Sequence, residues 1–293
     1  MKVDVIMLTF NSASRSYVFK KCLRSIKNNI PIRNFIVVDK FSQDNTIEVI
    51  SSYFSHVKII QTNAKRGKAR EIGIKNCGTE FIVFVDDDVI LCKNWFKKAI
   101  GYFKKNKRIG AVVGALTPAN GTCGWPHIYL QSKLRGVPMQ EIVRRYVLAR
   151  RGGDTSNLIL RKKCVKNIKI PNELFIYEDV WIKEWVEAKK YKFLIVTDPY
   201  AIHFRRGVPE AGPYTIKILL KYGYPLGVNL RNYLLWNFIT SFSQSLLILL
   251  LFKNFKLAKD NFYSHYYNLV SYFFLKNRIK RKTRSVKNYA GES

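Results

Sequence analysis

Phe81-Ile82-Val83-Phe84-Val85-Asp86-Asp87-Asp88-Val89 joins five consecutive apolar residues to three consecutive aspartates. The apolar part is rich in β-branched and aromatic residues, which predicts a buried strand of a parallel sheet. The aspartates fall where that strand should end, and ligands of open α/β sheets collect outside the carboxyl ends of the strands. Because neighbouring carboxylates repel one another, they are tolerable where they meet water or a hard cation such as Mg²⁺ or Mn²⁺. The stretch therefore predicts a metal site that also holds a diphosphate, with a solvated acidic turn as the alternative.

Strand and helix patterns alternate on both sides of this stretch. Strands are predicted at residues 3–8, 35–39 and 57–60, and apolar residues at helical spacing lie between them. Such alternation is typical of βαβ units, so we expect an α/β fold with a mostly parallel, twisted sheet flanked by helices. Asp39 ends the second of these strands and should lie at the same edge of the sheet as the three aspartates. The fingerprints GxGxxG and GxxxxGK[ST] do not occur, which disfavours an NAD-binding Rossmann domain and a P-loop NTPase.

The composition indicates a folded protein with an anionic partner. Of the 293 residues, 47% are hydrophobic, which excludes general disorder, and the formal net charge is +31. Such a charge predicts nucleic acid, an acidic membrane surface or phosphorylated substrates as partners, and charge alone does not choose among them. The five cysteines have no CxxC spacing, so we expect reduced thiols in a cytosolic domain rather than a zinc site or a disulfide framework. The N-terminal residues do not form an apolar signal core, and we expect no secretory signal.

The character of the chain changes after residue 212. Residues 232–252 form a mainly apolar run long enough to cross a bilayer, and residues 261–275 are rich in Tyr and Phe. Lysines and arginines flank both segments, up to a basic tail at residues 276–287, so by the positive-inside rule no flank favours the outer side of a membrane. We expect a catalytic domain at residues 1–212 and a basic, aromatic, membrane-associating helical region at residues 213–293, peripheral or monotopic at the cytoplasmic face of the cell membrane. A single crossing or hairpin, and a buried helical pair packed on the catalytic domain, are the alternatives.

Five groups of short motifs follow one another in a familiar order. They are Leu8-Thr9-Phe10-Asn11, Val38 to Thr46, Asn63 to Arg70, Val85 to Asp88, and Glu178-Asp179 with His203. On these residues the first two-thirds of the chain resembles the family 2 glycosyltransferases with the GT-A fold. The resemblance implies a GT-A type sheet and transfer of a sugar from a nucleoside-diphosphate sugar.

The resemblance also assigns the donor site. Asp86 and Asp88 match the family's DxD element, in which Asp88 would bind a divalent cation, Mg²⁺ or Mn²⁺, that neutralises the leaving diphosphate. Asp39 matches a carboxylate that hydrogen-bonds the nucleobase, and a capping or turn aspartate is the alternative. The other residues assigned to the nucleotide sugar are Thr9, Asn11, Arg66, Arg70, Asp87 and Arg205.

The same resemblance implies the catalytic residue and the acceptor. Asp179 would act as the general base on an acceptor hydroxyl, and a single displacement would invert the anomeric centre; a carboxylate that merely stabilises a helix N-terminus is the alternative. His203 would be a second metal ligand, or else a structural histidine. The expected acceptor is a lipid-linked or cell-surface glycan, for example on a polyprenyl carrier. A lipid phosphate as acceptor would require no strong base, and Asp179 would then position the acceptor or a second cation.

No nucleic-acid partner is expected, although two other classes of function stay open. The acidic triplet would repel phosphates without a metal, and no recognised RNA or DNA module occurs in the sequence. The alternatives are a nucleic-acid-binding basic protein and an inactive glycosyltransferase-like scaffold.

Overall fold

The computed structural model describes two compact units. The described residues are 1–119, 126–139, 141–142, 153–204, 212–222 and 229–279. The first unit takes in residues 1–117 and 153–204, and the second takes in the other described residues. Arg205 and the basic tail beyond residue 279 lie outside the described residues. The boundary expected after residue 212 stays a prediction.

The described elements follow one another in an order that alternates strands and helices for most of the first unit. They are β1 Val3–Thr9, α1 Ser16–Asn29, β2 Ile32–Asp39, α2 Thr46–Tyr53, β3 Val57–Gln61, α3 Arg66–Lys75, β4 Phe81–Val85, β5 Val89–Leu91, α4 Trp95–Lys105, β6 Ile109–Pro118, α5 Pro126–Arg135, β7 Asn157–Arg161, α6 Glu178–Ala188, β8 Lys192–His203, α7 Pro213–Tyr222, α8 Leu230–Phe252 and α9 Phe255–Leu275. Two short 3-10 helices lie at Ser12–Arg15 and Lys162–Cys164.

The strands form one eight-stranded mixed sheet in the order β3-β2-β1-β4-β7-β6-β8-β5. The first four strands of this order pair in parallel, as the alternating pattern predicts. β7 pairs antiparallel with both β4 and β6, and β5 pairs antiparallel with β8. The α/β fold class is therefore confirmed, with a parallel half and a half in which antiparallel pairing dominates.

β4 lies inside the sheet and is buried along its whole length. All five of its residues, Phe81–Val85, are buried, as expected for a strand covered on both faces. α1 packs against β5 and buries Phe19, Cys22, Leu23 and Ile26, which recur at helical spacing on its inner face. Burial on both faces explains why the strand reads as an uninterrupted apolar run.

Two local features of the first unit position side chains near the acidic triplet. The basic residues 66–70 form the first turn of α3, which begins at Arg66 and places Lys68 within reach of Glu71. β8 runs through Asp198 and Pro199 and continues to His203, which pairs with Val89 of β5.

The second unit contains an antiparallel helix pair, α8 and α9. Asn261 of α9 donates hydrogen bonds to the Ser241 carbonyl oxygen (3.1 Å) and the Ser245 hydroxyl oxygen (3.0 Å) of α8. Leu130 of α5 packs with Ile248 of α8 in a small buried cluster at one end of the pair. Within the described part of the chain, α8 is the one helix long and apolar enough to cross a membrane.

Asp4 joins the start of β1 to the turn before β4. Its buried carboxylate accepts hydrogen bonds from the Gly78 and Thr79 backbone N–H groups (2.5 and 3.0 Å) and from the Asn34 side chain (2.8 Å). Burial alone would raise the pKa of Asp4, but these hydrogen bonds outweigh it and hold the pKa below its usual value. Asp4 is therefore more stable as an anion in the folded state than in the unfolded state.

We expect Asp4→Asn to lower the free energy of unfolding at neutral pH by about 1–3 kcal/mol, because an amide nitrogen would face backbone N–H donors. A group with a depressed folded-state pKa stabilises the fold above its unfolded pKa and loses that contribution as the pH falls through the folded value. The difference from the natural protein should therefore shrink below about pH 4. Urea unfolding at several pH values measures both effects.

Asp198→Asn is the matched control, because Asp198 forms an exposed ion pair with Lys98 (2.8 Å). Its effect on unfolding should be much smaller than that of Asp4→Asn, because exposed ion pairs contribute little to stability. Equal losses for the two variants would contradict the role given to Asp4.

Candidate functional site

Three strand ends meet at one edge of the parallel half of the sheet. β1 lies between β2 and β4 and runs parallel to both, and Thr9 at its end pairs with Asp39 at the end of β2. Asp86 directly follows β4. The topology therefore places Asp39 and the acidic triplet at a single edge of the sheet, as predicted.

Asp39 is fully buried and held in a fixed orientation. Its Oδ1 accepts hydrogen bonds from the Thr9 hydroxyl (2.8 Å) and the Ser42 hydroxyl (2.5 Å), and its Oδ2 accepts from the Ser42 backbone N–H (2.8 Å). Asn11, in the left-handed region with φ 47°, donates its backbone N–H to the Ser42 hydroxyl (2.9 Å). The structure therefore brings Thr9, Asn11 and Asp39 into one hydrogen-bonded cluster. Asp39 also stabilises the turn that follows it through Ser42, which is the alternative role considered for this residue.

Each aspartate of the acidic triplet has a cationic partner from a different element. Asp86 accepts from Arg70 of α3 at 3.1 Å, and Asp88 lies 3.2 Å from the His203 Nε2 of β8. Asp87 accepts from the Ser12 hydroxyl and pairs with Arg15, whose guanidinium also lies 3.6 Å from Asp88. The triplet is thus compensated by charge within the protein and is not a merely solvated turn.

The three carboxylates differ in how readily they ionise. Burial, together with the charges of Asp86 and Asp88, raises the pKa of Asp87 to about 6 against the opposing effect of Arg15. Burial also acts to raise the pKa of Asp88, but the hydrogen bond and charge of His203 outweigh it, and the pKa is lowered. For His203 burial acts in the opposite direction, and the hydrogen bond to Asp88 keeps its pKa raised. Asp88 and His203 therefore stabilise each other as an ion pair.

His203 reaches Asp88 because β5 and β8 pair at this point. Val89 pairs with His203, and the Phe204 backbone N–H donates to the Asp88 carbonyl oxygen at 2.9 Å. The Nδ1 atom of His203 is buried and has no hydrogen-bond partner among the described residues. An imidazole nitrogen and an adjacent carboxylate are donor types that Mn²⁺ accepts.

The residues present fit a cation that takes few protein ligands. Among the described residues no three His, Cys, Asp or Glu side chains converge as a ready metal cage. Mg²⁺ and similar cations are commonly held by one or two carboxylates together with substrate phosphates. Asp88 and His203 are the pair that fits this pattern.

Arg70 ties helix α6 to the acidic triplet. The side chain is buried, and its Nε donates to the Glu178 carboxylate (3.3 Å) while its Nη2 donates to Asp86. Gly67, one turn earlier in α3, allows close packing on the segment before α6, since a Cβ atom there would lie 2.7 Å from the Leu174 carbonyl oxygen. Arg66 is more open than Arg70, with 45% of its side chain exposed and its guanidinium over the Phe175 ring.

Asp179 lies in the first turn of α6, where its Oδ1 accepts from the Val180 backbone N–H at 2.8 Å. The loop before β7 touches this turn closely, because a Cβ atom at Gly153 would lie 2.1 Å from the Asp179 carbonyl oxygen. In the same loop Ser156 accepts a hydrogen bond from the Asp86 backbone N–H at 3.0 Å. The loop thus runs from Asp179 to the acidic triplet, and a side chain at position 153 would push it away.

Sequence reasoning missed several members of this site. Ser12, Arg15 and Glu178 contact the assigned residues without having been assigned a role. Three adjacent aspartates signal a need for compensating cations, but sequence position does not say which of the 51 lysines and arginines supply them. Arg205 lies outside the described residues, so its assignment stays a prediction.

Curated relatives match a limited part of the chain. Poly(ribitol-phosphate) beta-N-acetylglucosaminyltransferase TarS of Staphylococcus aureus is 29% identical over 113 residues, which cover 36% of this chain and 19% of TarS. Poly-beta-1,6-N-acetyl-D-glucosamine synthase of Staphylococcus epidermidis is 32% identical over 88 residues, 29% of this chain and 21% of that protein. The match therefore spans about a fifth of the length of these relatives.

Solved structures share the fold over nearly the whole chain. S. aureus TarS 1–349 in complex with UDP has a TM-score of 0.54 at 18% identity, covering 94% of this chain and 90% of that one. The complex of TarS 1–349 with UDP-GlcNAc has a TM-score of 0.52 at 18% identity, covering 96% and 76%. At this identity the likeness shows the GT-A type fold and nothing finer.

The family comparison extends over more than half of the sequence. Residues 4–164 match the family described as Glycosyl transferase family 2. This range includes the strand ends that carry Thr9, Asp39 and Asp86 to Asp88. On that match the chain belongs to glycosyl transferase family 2.

Proposed function

We propose that this protein is an inverting, metal-dependent glycosyltransferase that moves a hexose-type sugar from a nucleoside-diphosphate sugar to a lipid-linked or cell-surface glycan. The observation that carries the proposal is the convergence of Asp39, the acidic triplet and His203 at one sheet edge. A divalent cation bound with the diphosphate would take over the compensating charge that His203 gives Asp88, since a metal-binding imidazole is neutral. Family membership makes sugar transfer the reaction class that fits this site.

A uridine nucleotide is the donor type we propose first. TarS is solved with UDP and with UDP-GlcNAc, and the curated relatives are named as an N-acetylglucosaminyltransferase and a poly-N-acetylglucosamine synthase. In this chain Asp39 would accept a hydrogen bond from the base, with Thr9 and Asn11 beside it in the same cluster. Because the Asp39 carboxylate is buried and held in one orientation, it would favour nucleobases that present a hydrogen-bond donor to it.

Asp88 and His203 would hold the cation, and Asp86 and Asp87 would face the donor. A bound Mg²⁺ or Mn²⁺ would supply charge that stabilises the leaving nucleoside diphosphate. Arg15 pairs with Asp87 and lies near Asp88, so its guanidinium is placed to meet the same negative charge. Arg66, with an exposed guanidinium, and Arg205 are the further cations we assign to the diphosphate.

Asp179 would take the proton from the acceptor hydroxyl. Its position in the first turn of α6 is fixed relative to the acidic triplet by the Glu178–Arg70–Asp86 bridge. Direct displacement requires the nucleophile and the leaving group to lie on opposite faces of the sugar. A base whose position is fixed relative to the donor site would help to hold the acceptor in that geometry. One displacement of this kind inverts the anomeric centre.

The proposed location is the cytoplasmic face of the cell membrane. The charge of +31 would favour an anionic surface, and α8 has the length and composition of a membrane-associating helix. An acceptor on a lipid carrier, such as a polyprenyl-linked glycan, would be found at such a surface.

The donor site is tested by thermal unfolding with UDP or UDP-GlcNAc, with Mn²⁺ or with a chelator. A ligand at about a hundred times its Kd stabilises the native state by about 2.7 kcal/mol, which raises the Tm. We expect the shift to require Mn²⁺ and to disappear in Asp88→Asn, because that variant loses a charged cation ligand.

Glu80→Gln is the matched control for Asp88→Asn, because Glu80 precedes the same strand at its other end and pairs there with Arg161. It should keep the full Tm shift. A shift that persists in chelator, or in Asp88→Asn, would overturn the metal assignment. The absence of any shift and of any sugar release would favour an inactive scaffold.

The base is tested with Asp179→Asn. Loss of a general base lowers kcat by at least about 10²-fold, while the donor-induced Tm shift should stay as in the natural protein. The measurement is sugar transfer to a lipid-linked acceptor preparation. Glu187→Gln, near the far end of α6 and paired with Lys183, is the control and should transfer normally. Unchanged kcat in Asp179→Asn would instead indicate an acceptor that is already ionised, such as a lipid phosphate.

A further inference from the structure

An exposed face of α8 is apolar, whereas the exposed face of a helix in water is usually polar. Trp236, Ile239, Phe242, Leu246 and Leu250 recur at helical spacing along one stripe, and they are 45–66% exposed. Large exposed apolar patches on folded proteins mark binding surfaces. We call these five residues the α8 stripe.

Half of the residues that α8 and α9 bury are polar. Ser241, Ser245, Asn261 and Ser271 are buried together with Leu234, Ile248, Leu257 and Ala258, and Asn261 joins the two helices by hydrogen bonds to the Ser241 carbonyl oxygen and the Ser245 hydroxyl oxygen. A water-soluble helix pair buries mainly apolar residues and exposes polar ones, so large exposed apolar residues beside buried polar ones partly reverse that arrangement. This reversal is typical of helices surrounded by lipid, where hydrogen bonding and close packing hold helices together.

α9 adds an aromatic surface to the same pair. Tyr263, Tyr267, Val270, Phe273 and Phe274 are 42–63% exposed. Tyrosines with an apolar ring and a polar tip are enriched at the boundary between lipid headgroups and acyl chains. The exposed surface of α9 therefore suits the boundary better than the bilayer centre.

Cations stand at both ends of the pair. Arg231 and Lys276 lie at the open end, and Lys253, Lys256 and Lys259 lie at the turn that joins the helices, all of them exposed. Between residues 232 and 252 there is no charged side chain. Although α8, at 23 residues, is about 35 Å long and could span a bilayer, a crossing would carry the three lysines of the turn to the opposite surface. A pair lying in one leaflet lets both ends meet anionic headgroups.

We propose that the helix pair α8–α9 lies in the headgroup–acyl boundary of an anionic bilayer, with the α8 stripe against the acyl chains. The occupant of the exposed apolar surface is lipid, and the lysines at the turn and the cations at the open end bind its anionic headgroups. This inference deepens the membrane location proposed above and rests on it, but it does not depend on the donor chemistry.

The test is binding of the full chain to sealed vesicles, either of phosphatidylcholine alone or with one-quarter phosphatidylglycerol. We expect strong cosedimentation with the anionic vesicles, weakened by salt but not abolished, because burial of the stripe is not electrostatic. Trp236 reports depth: lipids brominated near the carbonyl end of the acyl chain should quench its fluorescence more than lipids brominated near the methyl end. Trp236→Phe should remove that quenching.

Leu250→Asp places a charge on the stripe and should weaken vesicle binding by about tenfold or more. Tyr17→Asp is the matched control, because Tyr17 on α1 is 66% exposed and Leu250 is 65% exposed. It should bind vesicles as the natural protein does. Both variants should keep the far-ultraviolet circular dichroism and the nucleotide-induced Tm shift of the natural protein, which separates lipid binding from folding and from donor binding.

Four results would overturn the proposal. They are no binding of the folded natural protein to anionic vesicles, equal binding of Leu250→Asp, dissociation of a stable oligomer by Leu250→Asp in sedimentation, which would make a second copy the occupant, and stronger quenching at the methyl end, which would favour a crossing. Loss of the nucleotide-induced shift in the natural protein, with vesicle binding intact, would remove the proposed donor chemistry and leave this inference standing.

Discussion

Three carboxylates in succession at the end of a buried strand repel one another, and the first unit is arranged so that positive charge reaches each of them. The cations come from three places far apart in sequence: Arg15 before α1, Arg70 in α3 and His203 at the end of β8. Each of these elements must be in position before the charge of Asp86, Asp87 and Asp88 is compensated. The pairing of β5 with β8, a short and otherwise minor piece of sheet, is what brings the imidazole into reach. Electrostatic compensation therefore links the two halves of the mixed sheet.

The buried guanidinium of Arg70 in turn requires compensating negative charge. A guanidinium removed from water requires anions on more than one side, and Asp86 alone leaves its Nε without a partner. Glu178 satisfies that nitrogen, and burial of Arg70 is compatible with a raised pKa because both carboxylates outweigh the loss of hydration. The same glutamate starts α6, so the helix that carries Asp179 is positioned by an ion pair as well as by packing. Gly67 and Gly153 make the approach possible, since a Cβ atom at either would meet backbone atoms.

Periodicity along the chain was sufficient to predict the parallel half of the fold. Strands β1 to β4 and the helices between them follow from apolar runs and helical spacing, and their parallel order places Asp39 and Asp86 at one edge. β5 and β6 could not be predicted in this way, because β5 has only three residues and β6 follows a helix without a distinctive turn signal. The contacts of Ser12 and Arg15 with Asp87 were also out of reach, since they join residues more than seventy positions apart. In the second unit, hydropathy indicated the length of the apolar segment but not that Ser241 and Ser245 face inward, which depends on the partner helix.

The ion pairs of Arg70 with Asp86 and Glu178 join the acidic end of β4 to the first turn of α6. A ligand that moved Asp86 away from the guanidinium would leave Arg70 paired with Glu178 alone. Glu178 directly precedes Asp179 in the sequence. Under the roles proposed above, binding of the donor at Asp86 would therefore change the charge around Asp179, so the two proposed substrate sites would be coupled through one ion-pair network.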